Sequence, residues 1–400
     1  MRPFDGRRIL LGVTGGIASY KTTWLARVLH KAGAAVDVVL SRSAREFVGA
    51  LTFEALTGRP VHTELVAAGH ALDHIKLARD AHAIVVAPAT ADFLARAAHG
   101  NADDLLSAIL LAATCPVLLV PAMNDRMWAH AQTRANVARC REIGYVVLDP
   151  VSGPLAAGEG EGPGRMPEPE AIFAHAARLL EAPTLAGKVV LVTAGPTREA
   201  VDPVRFLSNR SSGKMGVAIA SSAWQRGADV CLVHGPLEVA PPEGVRAVRV
   251  ESTSEMRDAV ARELPRADAF VMAAAPADFA AAAPAADKIK KGAAPAGLAL
   301  TPTVDILADT RPLRKRGAVV FGFALETRDV IENAKSKLDA KGLDAIVVND
   351  ALETGAGFGV DTNRVTVLYA DGREEALPLQ SKREVGDQII DRVEAALRGR

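Results

Sequence analysis

The chain alternates short, continuously apolar runs with longer segments whose apolar residues recur every three to four positions. In the first half, Ile9–Val13, Val36–Leu40, Ala83–Ala87, Val117–Val120 and Tyr145–Leu148 predict strands, and the segments 17–32, 90–98, 103–112 and 133–143 predict helices between them. A run that is apolar on every residue is buried on both faces, so these strands predict a parallel sheet with helices on both sides. The pattern breaks near residue 150 in a Gly-rich stretch, 152–166. Its length, mixed content and Arg165-Met166 ending suit a ligand-covering loop better than a linker. Pro167 then opens a helix that runs to about Leu180. From Lys188 the plan restarts. Val189–Thr193, Val230–Val233, Ala269–Met272, Val319–Phe323, Ala345–Val348 and Val365–Leu368 predict strands, with helices over 213–226 and 384–397. The joint falls in Glu181–Gly187, giving domains 1–182 and 183–400. The halves share a plan and no sequence repeat. The fold class that follows is α/β, two doubly wound Rossmann-like domains, with ligands bound beyond the C-terminal ends of the strands. The Pro-, Ala- and Lys-rich stretch 281–297 has no period. It reads either as a disordered insertion or as a flap bringing Lys288, Lys290 and Lys291 over an anionic ligand.

Composition acts mainly by exclusion. Lys+Arg and Asp+Glu both number 47, so no net positive field favours nucleic acid. At 4% aromatic residues, stacking platforms for single strands are scarce. Cys115, Cys140 and Cys231 are far apart and form no CxxC, which argues for a reducing compartment and against a structural zinc or a disulfide framework. The apolar run after the basic N-terminus stops at Gly12, too early for a signal peptide. The Ala-rich stretch 269–286 is broken by Pro276, Asp278 and Pro284 and is no membrane span. A cytoplasmic protein is the expectation.

Each half opens with a strand, a Gly-rich turn and a helix. In Gly12–Ser19 the glycines permit close approach, and unpaired N–H groups with the helix dipole favour phosphate. The spacing is not GxGxxG, and the second strand ends at Ser41 rather than at an acid, which argues against a dinucleotide. Thr90 follows the third strand and Asn124 the fourth, each as a helix cap or a ligand contact. His74 is one of nine histidines and, on residue type alone, a structural or solvated one. In the second half Ser211, Ser212 and Gly213 precede a helix, as caps or as a phosphate cradle with Arg205 and Asn209 aimed at a substrate. Walker spacing is absent. Lys337 and Lys341 share one helical face, solvated or anion-binding.

GVTGGIASYK, DHIKLA, APATADF, PAMNDRMW and the loop ending GPGRM, in this order, resemble the flavoprotein half of the bifunctional phosphopantothenoylcysteine decarboxylase/phosphopantothenate–cysteine ligase family of coenzyme A biosynthesis. DPVRFLSNRSSGKMG, AAAPADF, DKIKK, GFALET and VVND resemble its ligase half. The resemblance implies a flavodoxin-like FMN-binding domain followed by a ligase domain. It implies decarboxylation of 4′-phospho-N-pantothenoylcysteine to 4′-phosphopantetheine. Oxidation of CH2–SH to a thioaldehyde there gives the departing carboxylate an electron sink, and the flavin later returns the hydride. His74 matches the base and Asn124 the substrate-carboxylate binder, and Gly15, Gly16, Ser41, Thr90 and Ser107 match FMN contacts. In the ligase half the resemblance implies CTP, with Mg2+ carried by its triphosphate, activating 4′-phosphopantothenate as an acyl-cytidylate that cysteine then attacks. Asn209 orients the acyl-cytidylate and Arg205 assists. Met272, Ala273, Ala274, Asp278, Lys288, Val304, Asp305, Ile306, Leu307, Phe323, Lys337 and Lys341 match nucleotide-site positions. The metal ligands are not assigned. A homo-oligomer is implied, a dodecamer built from trimers with sites between subunits and from dimers.

Two departures stand out. Where the family has Leu-Ala-Cys-Gly, with the thiol as the final acid, this chain has Leu155-Ala156-Ala157-Gly158, so the return step lacks its donor and turnover is expected to be impaired. Where the family has Asn-Pro-Asp-Ile, it has Thr303-Val304-Asp305-Ile306. The alternatives are a fully active decarboxylase using another proton donor, and a flavoprotein regulatory or binding subunit.

Overall fold

The computed structural model describes residues 4–66, 71–155, 158, 160–290, 297–326, 330–350, 357 and 359–400. The chain separates into two compact units, Met1–Ala182 and Pro183–Arg400.

The first unit runs β1 (Arg8–Val13), α1 (Ser19–Lys31), β2 (Ala35–Leu40), α2 (Ala50–Thr57), β3 (Val61–His62), α3 (Asp73–Asp80), β4 (Ala83–Ala89), α4 (Ala91–His99), α5 (Leu105–Ala112), β5 (Val117–Pro121), α6 (Asp125–Ala129), α7 (Ala131–Glu142), β6 (Val146–Val147), β7 (Val151–Pro154), β8 (Glu161–Arg165) and α8 (Pro169–Leu180). The six-stranded sheet has the order β3-β2-β1-β4-β5-β6, every pair parallel. Ile9, Leu11 and Val13 pack with Leu25, Leu29 and Ile172 on one face, and Leu10 packs with Phe93, Leu106 and Ile109 on the other. Alternate residues of β1 thus serve opposite cores, which is why the strand reads as one apolar run. The order reverses between β1 and β4, and that switch point opens a crevice at the C-terminal strand ends. Helix starts follow local chemistry. The Thr90 hydroxyl accepts the Phe93 amide at 3.2 Å, Asn124 Oδ1 accepts the Arg126 amide at 2.9 Å, and Asp104 and Ser107 cap α5 reciprocally.

The Gly-rich stretch after β6 folds as the antiparallel hairpin β7–β8. Its Ala156, Ala157 and Glu159 lie outside the described residues. The helix expected from residue 17 begins at Ser19 because Gly15–Ala18 form the turn, and the strand expected over Tyr145–Leu148 shortens to Val146–Val147.

The second unit runs β9 (Val189–Ala194), β10 (Arg198–Ala200), β11 (Phe206–Ser208), α9 (Lys214–Gln225), β12 (Asp229–His234), β13 (Arg246–Arg249), α10 (Thr253–Glu263), β14 (Ala269–Met272), β15 (Phe279–Ala281), β16 (Leu300–Pro302), α11 (Ile306–Asp309), β17 (Val319–Glu326), α12 (Val330–Lys341), β18 (Ala345–Asp350), β19 (Thr362–Asn363), β20 (Thr366–Tyr369), β21 (Glu374–Ala376), β22 (Gln380–Ser381) and α13 (Lys382–Arg398). Its eight-stranded sheet, β13-β12-β9-β14-β17-β18-β20-β21, is parallel as far as β18 and ends in an antiparallel hairpin. Leu191, Phe270, Val320 and Ile346 meet Met256, Leu264, Ala334 and Leu338 on one face, while α9 and α13 pack together. Two ribbons, β10–β11 and β15–β16, stand apart from the main sheet. The aperiodic stretch 281–297 falls between the two strands of the second ribbon, and its residues 291–296, Lys291 among them, lie outside the described residues. Among the described residues no helix is long and apolar enough to cross a membrane.

Candidate functional site

In the first unit three turns leaving β1, β4 and β5 surround a cavity of about 770 Å³, lined by Gly15, Gly16, Thr90, Met123 and Asn124 and closed on one side by Pro154, Leu155 and Gly164–Met166. Thr14 ties two of the turns together. Its hydroxyl donates to the Pro88 carbonyl at 2.8 Å and accepts the Thr90 amide at 3.0 Å. The hairpin wall is held by backbone contact: the Met123 amide donates to the Gly164 carbonyl at 3.0 Å. A Cβ on Gly164 would stand 2.2 Å from the Met123 carbonyl oxygen, so only glycine lets GPGRM lie against PAMND. Lys21 is buried beside the same wall, its Nζ 2.9 Å from Glu168 Oε1 and 3.3 Å from the Met166 carbonyl. Arg165 reaches the same Glu168 oxygen at 2.5 Å. The Lys21 hydrogen bond, aided by Arg165, holds the Glu168 carboxyl below its ordinary range.

Of the expected first-unit residues, Gly15, Gly16, Thr90 and Asn124 converge on this cavity, and three do not line it. Ser41 follows β2, and its hydroxyl accepts the Ala44 amide at 3.2 Å. Ser107 is buried and engaged with Asp104 through both amide and hydroxyl, a capping role that sequence spacing did not separate from a ligand contact. His74 sits in the first turn of α3, its Nδ1 buried without a hydrogen-bond partner among the described residues. Ala157 lies outside the described residues. Thr14, Lys21 and Glu168 were missed, although all three lie in or beside GVTGG, SYK and GPGRM.

In the second unit a cavity of about 310 Å³ lies over the ends of β14, β17 and β18. Met272, Ala273, Ala274, Asp278, Val304, Asp305, Ile306, Leu307, Phe323, Lys337 and Lys341 all line it, as do Ser211–Gly216. Gly213 begins the turn into α9 at φ +77°, and a Cβ there would stand 2.1 Å from Leu237 Cδ2. Asp305 caps α11 through the Ala308 amide and pairs with Lys341 Nζ at 3.1 Å, a short segment that forms despite the Thr303-Val304 departure. Two further lysines that sequence reading passed over also line this cavity. Lys214 Nζ lies 2.7 Å from Asp361 Oδ1, and Lys382 Nζ donates to the Gly357 carbonyl at 2.9 Å. Burial, with Lys214 beside it, pushes the Lys382 ammonium below its ordinary range. The Ser381–Glu384 capping box was a visible signal for the start of α13; its nearness to the Ser211–Gly213 turn was not.

Asn209, Arg205 and Lys288 are not among the lining residues. Asn209 Nδ2 donates to the carbonyls of Ala275 and Pro276, at 3.1 and 2.8 Å, and so braces the cavity wall. Lys288 is exposed on the strap before β16. Arg205 is bound to Asp202, whose carboxyl is held well below the usual carboxylate range chiefly by the Arg205 guanidinium and further by backbone amides. No cluster of three His, Cys, Asp or Glu side chains suited to a metal ion is present among the described residues.

Comparison with known proteins follows the same division. Residues 2–181 match the Flavoprotein family, and residues 185–397 match the DNA/pantothenate metabolism flavoprotein C-terminal domain. A Mycolicibacterium smegmatis protein described as coenzyme A biosynthesis bifunctional protein CoaBC is 48% identical, over 98% of this chain and 98% of its own. The Bacillus subtilis protein of that description is 43% identical, over 98% of this chain and 97% of its own. A crystal structure of the C-terminal domain of a CoaBC protein is similar at 38% identity and a TM-score of 0.47, covering 55% of this chain and all of its own. With both family domains matched in order, and with relatives this similar along nearly its whole length, the chain belongs to the family of coenzyme A biosynthesis bifunctional proteins.

Proposed function

We propose that residues 183–400 ligate 4′-phosphopantothenate to cysteine using CTP, and that residues 1–182 decarboxylate the product toward 4′-phosphopantetheine. The observation that carries this reading is the convergence in the second unit, where Met272–Ala274, Asp278, Val304–Leu307, Phe323, Lys337 and Lys341 arrive from separate strands, helices and loops to line one cavity. In the first ligase step a carboxylate oxygen attacks the α-phosphorus of CTP, pyrophosphate leaves, and an acyl-cytidylate forms. The cysteine amine then attacks the acyl carbon, an amide forms and CMP leaves. Such chemistry needs positioning and charge neutralisation above all. Lys337 and Lys341 face the triphosphate, which brings Mg2+ with it. Lys341 exchanges Asp305 for a phosphate oxygen, and the amides at Ser212–Gly213 cradle a second phosphate. Asn209 orients the acyl-cytidylate, Arg205 assists in the same step, and Lys288 stands over the triphosphate.

The first-unit cavity fits FMN in its size and in its Gly-rich turn, where a Cβ on Gly16 would project toward Thr90 Cγ2 at 4.0 Å. A bound flavin supplies the two-electron acceptor and later donor for the substrate's CH2–SH group. Asn124 holds the substrate carboxylate at the cavity wall and His74 takes the proton. Ala157 has none to give back, so the last step is slow. His74 lies outside its own chain's cavity, on a helix that exposes Ile75 and follows exposed Leu72. That arrangement supports a site completed by a second copy, in the trimer-and-dimer assembly that the resemblance implies.

The test is pyrophosphate release from CTP, 4′-phosphopantothenate, cysteine and Mg2+; its absence removes the ligase reading. In an anaerobic spectrum with phosphopantothenoylcysteine, the flavin is expected to bleach and stay bleached. Complete multi-turnover formation of phosphopantetheine would overturn the impairment assigned to Ala157.

A further inference from the structure

Asp202 is the best-satisfied carboxylate near the second site, yet it touches no part of the cavity. Its side chain is fully buried. Oδ1 accepts the amides of Val204 and Arg205 at 2.8 and 2.9 Å. Oδ2 accepts Arg205 Nε at 2.9 Å, Arg205 Nη2 at 2.5 Å and the Ile289 amide at 3.1 Å. Arg205 Nη2 also donates to the Ile289 carbonyl at 2.6 Å. Both backbone polar groups of Ile289 are therefore fixed by one ion pair, and Ile289 is the neighbour of Lys288. A second tie, from the Ala285 amide to the Val201 carbonyl at 2.9 Å, fixes the direction of the strap between them.

This ion pair is more than a turn-stabilising contact. The turn between β10 and β11 is already held by the Oδ1 bonds and by the Val201 amide donating to the Arg205 carbonyl at 2.8 Å. Two of the Oδ2 bonds close the Asp202–Arg205 pair, and the third reaches outward to the Ile289 amide, 87 residues along the chain. We propose that Asp202 is a positioning residue of the ligase site, which locks the Arg205 guanidinium and, through the backbone of Ile289, sets where Lys288 stands over the bound nucleotide triphosphate. The inference rests on the ligase reading above. It assigns the Asp202–Arg205 pair a reach that the resemblance does not give it: two residues of the reaction are held by one buried carboxylate that touches neither substrate nor metal.

Asp202→Asn separates the two duties. The amide oxygen can keep the Oδ1 bonds of the turn, while its NH2 group would face three donors, the Arg205 Nε, the Arg205 Nη2 and the Ile289 amide. The expected result, measured per folded protein because loss of this buried charge also lowers the thermal midpoint, is a rise of about tenfold in the KM for CTP in pyrophosphate release, as for loss of one charge-assisted bond to a phosphate. A merely structural role would lower the active fraction and leave that KM alone. In a double-mutant cycle, Asp202→Asn combined with Lys288→Ala should raise the KM by less than the product of the two single effects, because part of the Asp202 effect acts through the Lys288 ammonium group. Ile289→Pro, which removes the amide donor on the strap and also restricts the backbone at 288 and 289, gives a second test if the first variant does not fold. A wild-type KM for CTP in a folded Asp202→Asn or Ile289→Pro protein, or additive effects in the cycle, would overturn the inference. Failure of the unaltered protein to release pyrophosphate would instead remove the ligase reading on which it rests.

Discussion

The first-unit cavity is walled by glycine turns, Ile17, Tyr20, Met123 and Met127, and its two cations, Lys21 and Arg165, both bind Glu168. The second-unit cavity has less than half that volume and is lined by Lys214, Lys337, Lys341 and Lys382. Both open at the C-terminal ends of parallel strands, and both use a Gly-containing turn into a helix. The difference teaches that this architecture provides a phosphate-sized foothold and leaves the rest of the ligand to side chains. A large apolar-edged space with neutralised cations suits a flat ring system. A smaller space lined by four lysines suits a polyphosphate beside a second anion.

The contrast can be broken first at residue 157. Ala157→Cys should raise multi-turnover decarboxylation by about 10²-fold, the scale of one general acid. Pyrophosphate release should not change. Equal turnover by both proteins would mean that the first site holds another proton donor. Next in size is Gly164→Val, whose side chain must displace the Met123 carbonyl and is expected to destabilise the first unit by roughly 2 kcal/mol. Thermal unfolding followed by flavin fluorescence should fall while ligase activity at low temperature persists. Retention of flavin at the wild-type midpoint would show that the hairpin wall is not held as described.

Lys341→Ala sharpens the second side of the comparison. It removes one cation and leaves Asp305 facing the phosphates, so the KM for CTP should rise about tenfold. The rise should shrink with added salt, and flavin binding should not respond. A KM unchanged at low ionic strength would assign Lys341 to the Asp305 pair alone. The smallest effect is a pH slope in the first unit. Burial, aided by Arg178, pushes His175 down to about 4 from its ordinary value near 6.5. The unfolded chain therefore binds this proton at higher pH than the folded one. Between pH 6.5 and about 4 acidification destabilises the first unit, and this contribution is complete above that window. Urea midpoints followed by flavin fluorescence should show the slope, and His175→Gln should flatten it by about one proton at most. An unaltered slope in that variant would place the titration elsewhere.

Much of the fold was legible because burial on both faces leaves its mark on every residue of a strand. β1, β4, β9 and β14 were each visible as a continuous apolar run. Short elements were not. β3, with only Val61 and His62, gives no period to read, and the ribbons β10–β11 and β15–β16 take their order from each other rather than from their own sequences. Among candidate residues, Thr90 and Asn124 proved to be both caps and cavity lining, so the two readings of each were not exclusive. Ser107 shows the reverse: its pairing with Asp104 is a capping box, and the cavity lies elsewhere.

The sequence by itself determined the α/β class, the restart of the plan near Lys188, the turns that precede α1 and α9, and the alanine at position 157. These depend on side chains within a few residues of one another, where backbone propensity, capping and burial period act. The tertiary structure alone decided that Gly164 lies on Met123, that Lys382 and Lys341 line one cavity, and that Asp202 holds both Arg205 and Ile289. Those meetings depend on sheet order and loop path, and no local pattern records which distant loops a parallel sheet will bring to the same edge.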